Sequence, residues 1–146
     1  MADILVSIHP RFVAAILEGT KQVEIRKRRL RVGSGARLWI YCTRPVARIV
    51  ALAVVESSSE GAPDEVWREI EHHAGMTQCE YRSYVNGSGT ITAIRLRSPR
   101  QLRTALDLQT IRSAVGNFQP PQFAKRLAKG GQLLRLLEEA AGAECG

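Results

Sequence analysis

Two strand-forming runs, Arg37–Thr43 (Arg-Leu-Trp-Ile-Tyr-Cys-Thr) and Arg48–Val55, stand four residues apart with Pro45 in the connection. Apolar, β-branched and aromatic side chains dominate both, and both are strand-length rather than helix-length. A chain built around them has a sheet at its centre. Ile4-Leu5-Val6-Ser7-Ile8 is a shorter run of the same kind and reads as a buried first strand. From Gln22 to Leu30 the pattern has period two. Val23 and Ile25 point one way, and Glu24, Arg26 and Arg28 the other. Thr90–Leu96 alternates in a way that suits a further strand.

Helices fall between these runs. Pro10 sits where an N1 proline belongs, Phe12, Val13, Ile16 and Leu17 follow at helical spacing, and Gly19 closes the segment. Ala62–Ala74 carries Pro63 near its start and Val66, Trp67 and Ile70 on one side. Thr77 with Glu80 three residues on forms a capping box for a helix that ends at Asn86-Gly87. Asp107–Val115 reads as a short helix, and Gln132–Ala141 as an amphipathic terminal one through Leu133, Leu134, Leu136 and Leu137. Prolines hold Phe118–Phe123 extended. The expectation is a five- or six-stranded mixed sheet, curled toward a small barrel with peripheral helices. No repeat or linker divides the chain, so residues 1–146 read as one domain with a helical extension from about 131.

At 146 residues, with 45% apolar and 24% charged side chains, the chain has the length and composition of a single globular domain. No apolar run reaches the roughly 18 residues of a membrane span, and the N-terminus lacks a basic region leading into an apolar one. Cys42, Cys79 and Cys145 are widely spaced and fit neither a disulfide framework nor a zinc pattern. Nor do His72, His73 and Cys79 have metal-ligand spacing. These features predict a soluble, cytoplasmic protein with no membrane association and no cofactor.

Charge is segregated. Residues 1–50 hold ten Lys and Arg against three Asp and Glu; residues 51–80 hold one against seven; residues 81–146 hold ten against four. Seventeen of the 21 basic residues are Arg, whose planar fork suits phosphate and base edges. Such a distribution, with a net charge of +7, suits a phosphate-backbone partner.

The densest group of chemistry-bearing residues is Gly19-Thr20-Lys21-Gln22-Val23-Glu24-Ile25-Arg26. A helix ends at a glycine, a lysine follows, and a strand then presents Glu24 and Arg26 on one face. Lys21 and Arg26 can hold a phosphate there, while Glu24 accepts from a base amino group or orients one of the cations. A surface salt-bridge ladder is the plainer alternative. Arg28, Arg29, Arg31, Arg44 and Arg48 form a salt-sensitive phosphate surface. Trp39 and Tyr41 alternate with Leu38 and Ile40, so one of these faces is core and the other can offer a stacking platform. Trp39 and Trp67 are expected in the core. His9, directly before a helix-starting proline, suits a cap better than a catalytic base.

Gly19-x-Lys21-x-x-Glu24-x-Arg26 resembles the GxKxxExR motif of the ASCH domain, a branch of the PUA-like superfamily. Ser7-Ile8-His9-Pro10, Tyr41-Cys42-Thr43-Arg44-Pro45-Val46, Gly75-Met76-Thr77, and Phe118 with Pro120-Pro121-Gln122 are similar to its other landmarks, in the same order. The resemblance implies an α+β fold: a PUA-like small mixed β-barrel with flanking helices and a cleft lined by the motif. It further implies binding of RNA or another nucleic acid, as a coactivator module or translation-linked factor. On this basis Ser7, Lys21, Glu24, Arg26, Arg28, Arg29, Tyr41 and Arg44 are the candidate binding residues.

Two enzymatic alternatives use the same cleft, with Lys21, Glu24 and Tyr41 as the candidate catalytic residues. A ribonuclease needs no metal if a base takes the 2′-hydroxyl proton and a cation stabilises the phosphorane; Ser7 is a further conceivable actor. A short ASCH branch hydrolyses the modified nucleoside N4-acetylcytidine using the motif lysine, a threonine three residues on, and a glutamate just before the Met-Thr pair. Here Glu24 stands at the threonine position and Ala74-Gly75 at the glutamate's. A third class is a protein-interaction module docking through the acidic 56–80 region.

Overall fold

The computed structural model describes residues 2–142. Six strands form one sheet in the order β2-β5-β4-β3-β1-β6, with five helices around it. The strands are β1 (Asp3–Ile8), β2 (Val23–Arg26), β3 (Arg37–Cys42), β4 (Arg48–Gly61), β5 (Ile91–Asp107) and β6 (Lys125–Arg126). The helices are α1 (Pro10–Glu18), α2 (Pro63–Ile70), α3 (Gln78–Val85), α4 (Leu108–Val115) and α5 (Gln132–Ala141). β1 runs parallel to β3 and every other pairing is antiparallel, which makes the sheet mixed.

Local chemistry accounts for the helix ends. Pro10 begins α1 behind a His9 cap whose ring nitrogen accepts from the Arg11 N–H at 3.3 Å. Gly19 ends it at φ +90°, donating to Ala15 and Ile16, a conformation costly for any residue with a Cβ. The Thr77–Glu80 capping box is complete in both directions.

The inner face of the curled sheet is packed by Ile4, Val6, Ile8, Leu38, Ile40, Ala51, Ala53, Val55, Ile94 and Leu96, closed by Val13 and Ile16 of α1. The other face carries two further cores. Leu5, Trp39, Tyr41 and Ile49 meet α4, α5 and Phe118. Val23, Ile25, Ile91 and Ala93 meet α2 and α3, where Trp67 stacks on Tyr81 at 4.5 Å. Both faces of β3 are therefore core, and Trp39 and Tyr41 offer no exposed stacking platform. Trp39 is fully enclosed and donates from Nε1 to Asp3 at 2.9 Å.

The sheet differs from the sequence expectation in strand length. β2 stops at Arg26 rather than continuing to Leu30, whereas β4 and β5 run far past Val55 and Leu96. Cys42 is buried and Cys79 exposed, both as free thiols; Cys145 lies outside the described residues. No helix of the described residues is long and apolar enough to cross a membrane.

Candidate nucleic-acid interface

Lys21 leaves the Gly19 turn pointing into the molecule and is only 2% exposed. Its Nζ donates to the Ala74 carbonyl at 2.7 Å and lies 4.0 Å from Glu24 Oε1 and 4.9 Å from the centre of the Phe12 ring. Burial holds the amine below the ordinary lysine range and Arg11 pushes the same way, while Glu24 opposes them. The loop that supplies Ala74 is fixed to the start of β2, because the His73 carbonyl accepts from the N–H groups of Gln22 and Val23.

Glu24 is 6% exposed, on the inner-face side of β2 opposite Ile94. Its other oxygen accepts from Arg26 Nη1 at 3.1 Å, so one carboxylate sits between two cations. Arg26 Nη1 also reaches the Ser7 carbonyl at 3.3 Å, linking β2 to β1 where no ladder joins them. The Ser7 hydroxyl donates to the Pro121 carbonyl at 2.7 Å and so ties down the extended segment after Phe118. The motif thus forms a buried, hydrogen-bonded ionic cluster, with Arg26 as its outward member.

Beyond Arg26 the chain opens into a cleft of about 620 Å³. One wall is Arg26, Lys27, Arg28, Arg29 and Leu30; the others are Tyr84 near the end of α3 with Asn86, Gly87 and Ser88 just after it, and the segment Gln122–Ala124. No carboxylate is among the lining residues. Arg29 is paired with Glu60 at 3.0 Å, whereas Lys27 and Arg28 have no ion-pair partner among the described residues. Each instead lies over a ring: Lys27 Nζ 5.0 Å from the centre of Tyr84, Arg28 Cζ 3.6 Å from that of Phe123.

Of the eight candidate residues, Lys21, Glu24, Arg26 and Ser7 come together directly, and Arg28 and Arg29 continue the same wall. Tyr41 and Arg44 do not join them. Tyr41 neighbours Ser7 in the β1–β3 register but packs with Leu5, Trp39 and Phe118. Burial raises the Tyr41 pKa, opposed by Arg44 and Arg112, and its hydroxyl has no hydrogen-bond partner among the described residues. His9 serves as a cap. His72, His73 and Cys79 form no cluster; nor do any three His, Cys, Asp or Glu among the described residues. The acidic region is partly spent on the basic side, Glu60 on Arg29 and Glu80 on Arg11.

Lys27, Tyr84 and Phe123 were not expected at the cleft. The available signal was an isolated aromatic residue in a polar, proline-held segment, which has no core stripe to join.

No family model matches the chain. It is 34% identical over 127 residues to a protein of Zymomonas mobilis named ASCH domain-containing ribonuclease, covering 87% of this chain and 85% of that one. The crystal structure of ASCH from Zymomonas mobilis superposes with a TM-score of 0.84 at 32% identity, over 93% of this chain and 94% of that one. A variant of it with one tyrosine replaced by phenylalanine gives 0.85 at the same identity, over 93% and 96%. The half-barrel mixed sheet with its flanking helices is a PUA-like architecture. The chain belongs to the ASCH domain family.

Proposed function

We propose that this ASCH domain binds RNA in the cleft between the segment following β2, the end of α3 and residues 122–124. The observation that carries this reading is a wall of four consecutive cations, Arg26 to Arg29, in a cleft without a carboxylate, two of them without an anionic partner among the described residues. Such a wall attracts a phosphate backbone whatever its sequence. Lys21 and Glu24 act behind it: Glu24 aims the Arg26 guanidinium, and Lys21 balances Glu24. The name of the Zymomonas mobilis relative supports RNA as the nucleic acid.

The test is anisotropy of labelled RNA and DNA strands over a salt series. The logarithm of affinity should fall linearly with that of salt concentration, and Lys27→Ala with Arg28→Ala should flatten the slope by about 0.7 per lost contact. Absence of binding to any nucleic acid at low salt overturns the reading.

A second reading, ribonuclease activity, is supported by the name of the Zymomonas mobilis relative and by Tyr41, whose hydroxyl has no hydrogen-bond partner among the described residues. The phenol, protonated at neutral pH, can give its proton to the departing 5′-oxygen as the 2′-hydroxyl attacks phosphorus and passes its own proton to water, with Arg44 stabilising the phosphorane. A denaturing gel of the same samples tests it. The nucleoside amidohydrolase alternative is the weaker one: the Lys21 amine donates to the Ala74 carbonyl at the position where that branch carries its glutamate, which leaves Glu24, 4.0 Å away, to substitute for it.

A further inference from the structure

Among the described residues three large apolar side chains are exposed, Val46, Tyr84 and Phe123, and two of them stand on different walls of the same cleft. Phe123 is 47% exposed and Tyr84 38%. Each is covered by one of two consecutive cations, Arg28 on Phe123 and Lys27 on Tyr84. The Tyr84 ring is anchored, since its hydroxyl donates to the Ile25 carbonyl at 3.2 Å. Phe123 is bounded by the Pro120-Pro121 stretch, whose position the Ser7 hydroxyl holds. Both rings are therefore set in position, whereas the Arg28 and Lys27 side chains are exposed.

Arg28 Cζ stands 3.6 Å from the Phe123 ring centre, well inside the reach of a cation–π contact over the ring face. A planar guanidinium at that height occupies the volume an aromatic base would fill. We infer that Phe123 is the platform for an unpaired nucleobase, and that Arg28 stands in for this base in the free protein. On arrival the base takes the ring face, and the displaced guanidinium turns to the phosphate of the same nucleotide. This exchange rests on the RNA reading above and narrows it to single strands. A duplex keeps its bases stacked and cannot offer one to Phe123. The exchange favours the bound state because the base brings more stacking area than a guanidinium, and the freed cation gains an anion it lacks in the free protein.

The experiment uses the full chain and an RNA strand of about twelve nucleotides containing 2-aminopurine, single-stranded and as a duplex. Anisotropy gives affinity, and fluorescence quenching reports stacking of the probe base. Wild type and Phe123→Trp should bind the single strand with quenching. Phe123→Ala should lose the quench and about five- to 100-fold in single-strand affinity, with its salt slope unchanged. Arg28→Ala should keep the quench and flatten the slope by about 0.7. If wild type binds single strands and Phe123→Ala binds as tightly with the same quench, the platform is overturned and the RNA reading stands. If wild type binds no RNA at low salt, the RNA reading fails and takes the platform with it.

Discussion

Gly75 and Lys21 are in van der Waals contact through a gap that admits no methyl group. A Cβ built at residue 75 would lie 2.5 Å from the Lys21 Cβ and 2.9 Å from its Cγ, and residue 75 has φ +66°. The absence of a side chain at 75 lets the lysine stem lie flat against the loop, so that Nζ reaches the Ala74 carbonyl. Gly75→Ala should therefore cost about 2–4 kcal/mol, from left-handed backbone strain and overlap together. Urea denaturation measures it. A loss below about 0.5 kcal/mol would mean that loop 71–75 moves freely and does not set the lysine.

Among the described residues Glu24 is the one anion paired with both Lys21 and Arg26, so its charge matters more than its shape. Glu24→Gln should destabilise by about 2–4 kcal/mol, because it leaves a buried ammonium without its counter-charge. Lys21→Met in the same chain should recover part of that loss. A double-mutant cycle with coupling of at least about 1 kcal/mol is the expected result. Additive losses would show that the two groups do not sense each other.

Glu80 holds the α3 cap and also pairs with the Arg11 guanidinium of α1, the second contact being 2.9 Å. Arg11 and the cap hydrogen bond hold its carboxyl down to about 2, from an ordinary value of 4.5. Between those two values the unfolded chain carries the extra proton, so stability rises with pH across that window. The contribution is complete above about pH 4.5 and lost as pH falls toward 2. Glu80→Gln should flatten this limb of a Tm-against-pH profile and leave the region above pH 6 nearly parallel to wild type. An unchanged acid limb would assign it to other carboxylates.

Tyr41→Phe removes a hydroxyl that bonds to nothing among the described residues, so thermal stability should change by less than about 0.5 kcal/mol. On the ribonuclease reading the same change should abolish RNA cleavage while the strand still binds. Cleavage at the wild-type rate would remove Tyr41 from the chemistry.

Helices were legible where the signal is local. Pro10 and Gly19 bracket α1, Thr77 and Glu80 open α3, and the leucines of 132–141 mark α5 within their own turns. Strand lengths were not. Glu56-Ser57-Ser58-Ser59-Glu60 has no strand pattern, yet it belongs to β4 because Ile91–Arg95 of β5 pairs with the stretch from Ser57 to Gly61. Ser98-Pro99 looks like a turn, but β5 takes it up as an irregularity with Ser98 at φ +52°. In the site, the charge pattern pointed to Lys21, Glu24 and Arg26 together. What it could not convey was depth. Lysine and glutamate are seldom buried, and here the Ala74 carbonyl, the Phe12 ring and the opposed charges of Glu24 and Arg26 make it tolerable. Phe123 was hidden for the converse reason: a phenylalanine is assumed to be core unless the fold leaves it outside.

Between β2 and β1 the half-barrel is joined by a side chain rather than by a ladder. β6 pairs only with Ile4 and Leu5, and at Ser7 the link across the gap is the Arg26 guanidinium. A sheet hydrogen-bonded all the way round has one circumference, and widening it means tearing a row of backbone bonds. Here the opening is spanned by two rotatable arms, Arg26 reaching the Ser7 carbonyl from Glu24 and Arg126 of β6 reaching the Arg31 carbonyl. Replacing either arm therefore leaves every backbone ladder between neighbouring strands in place.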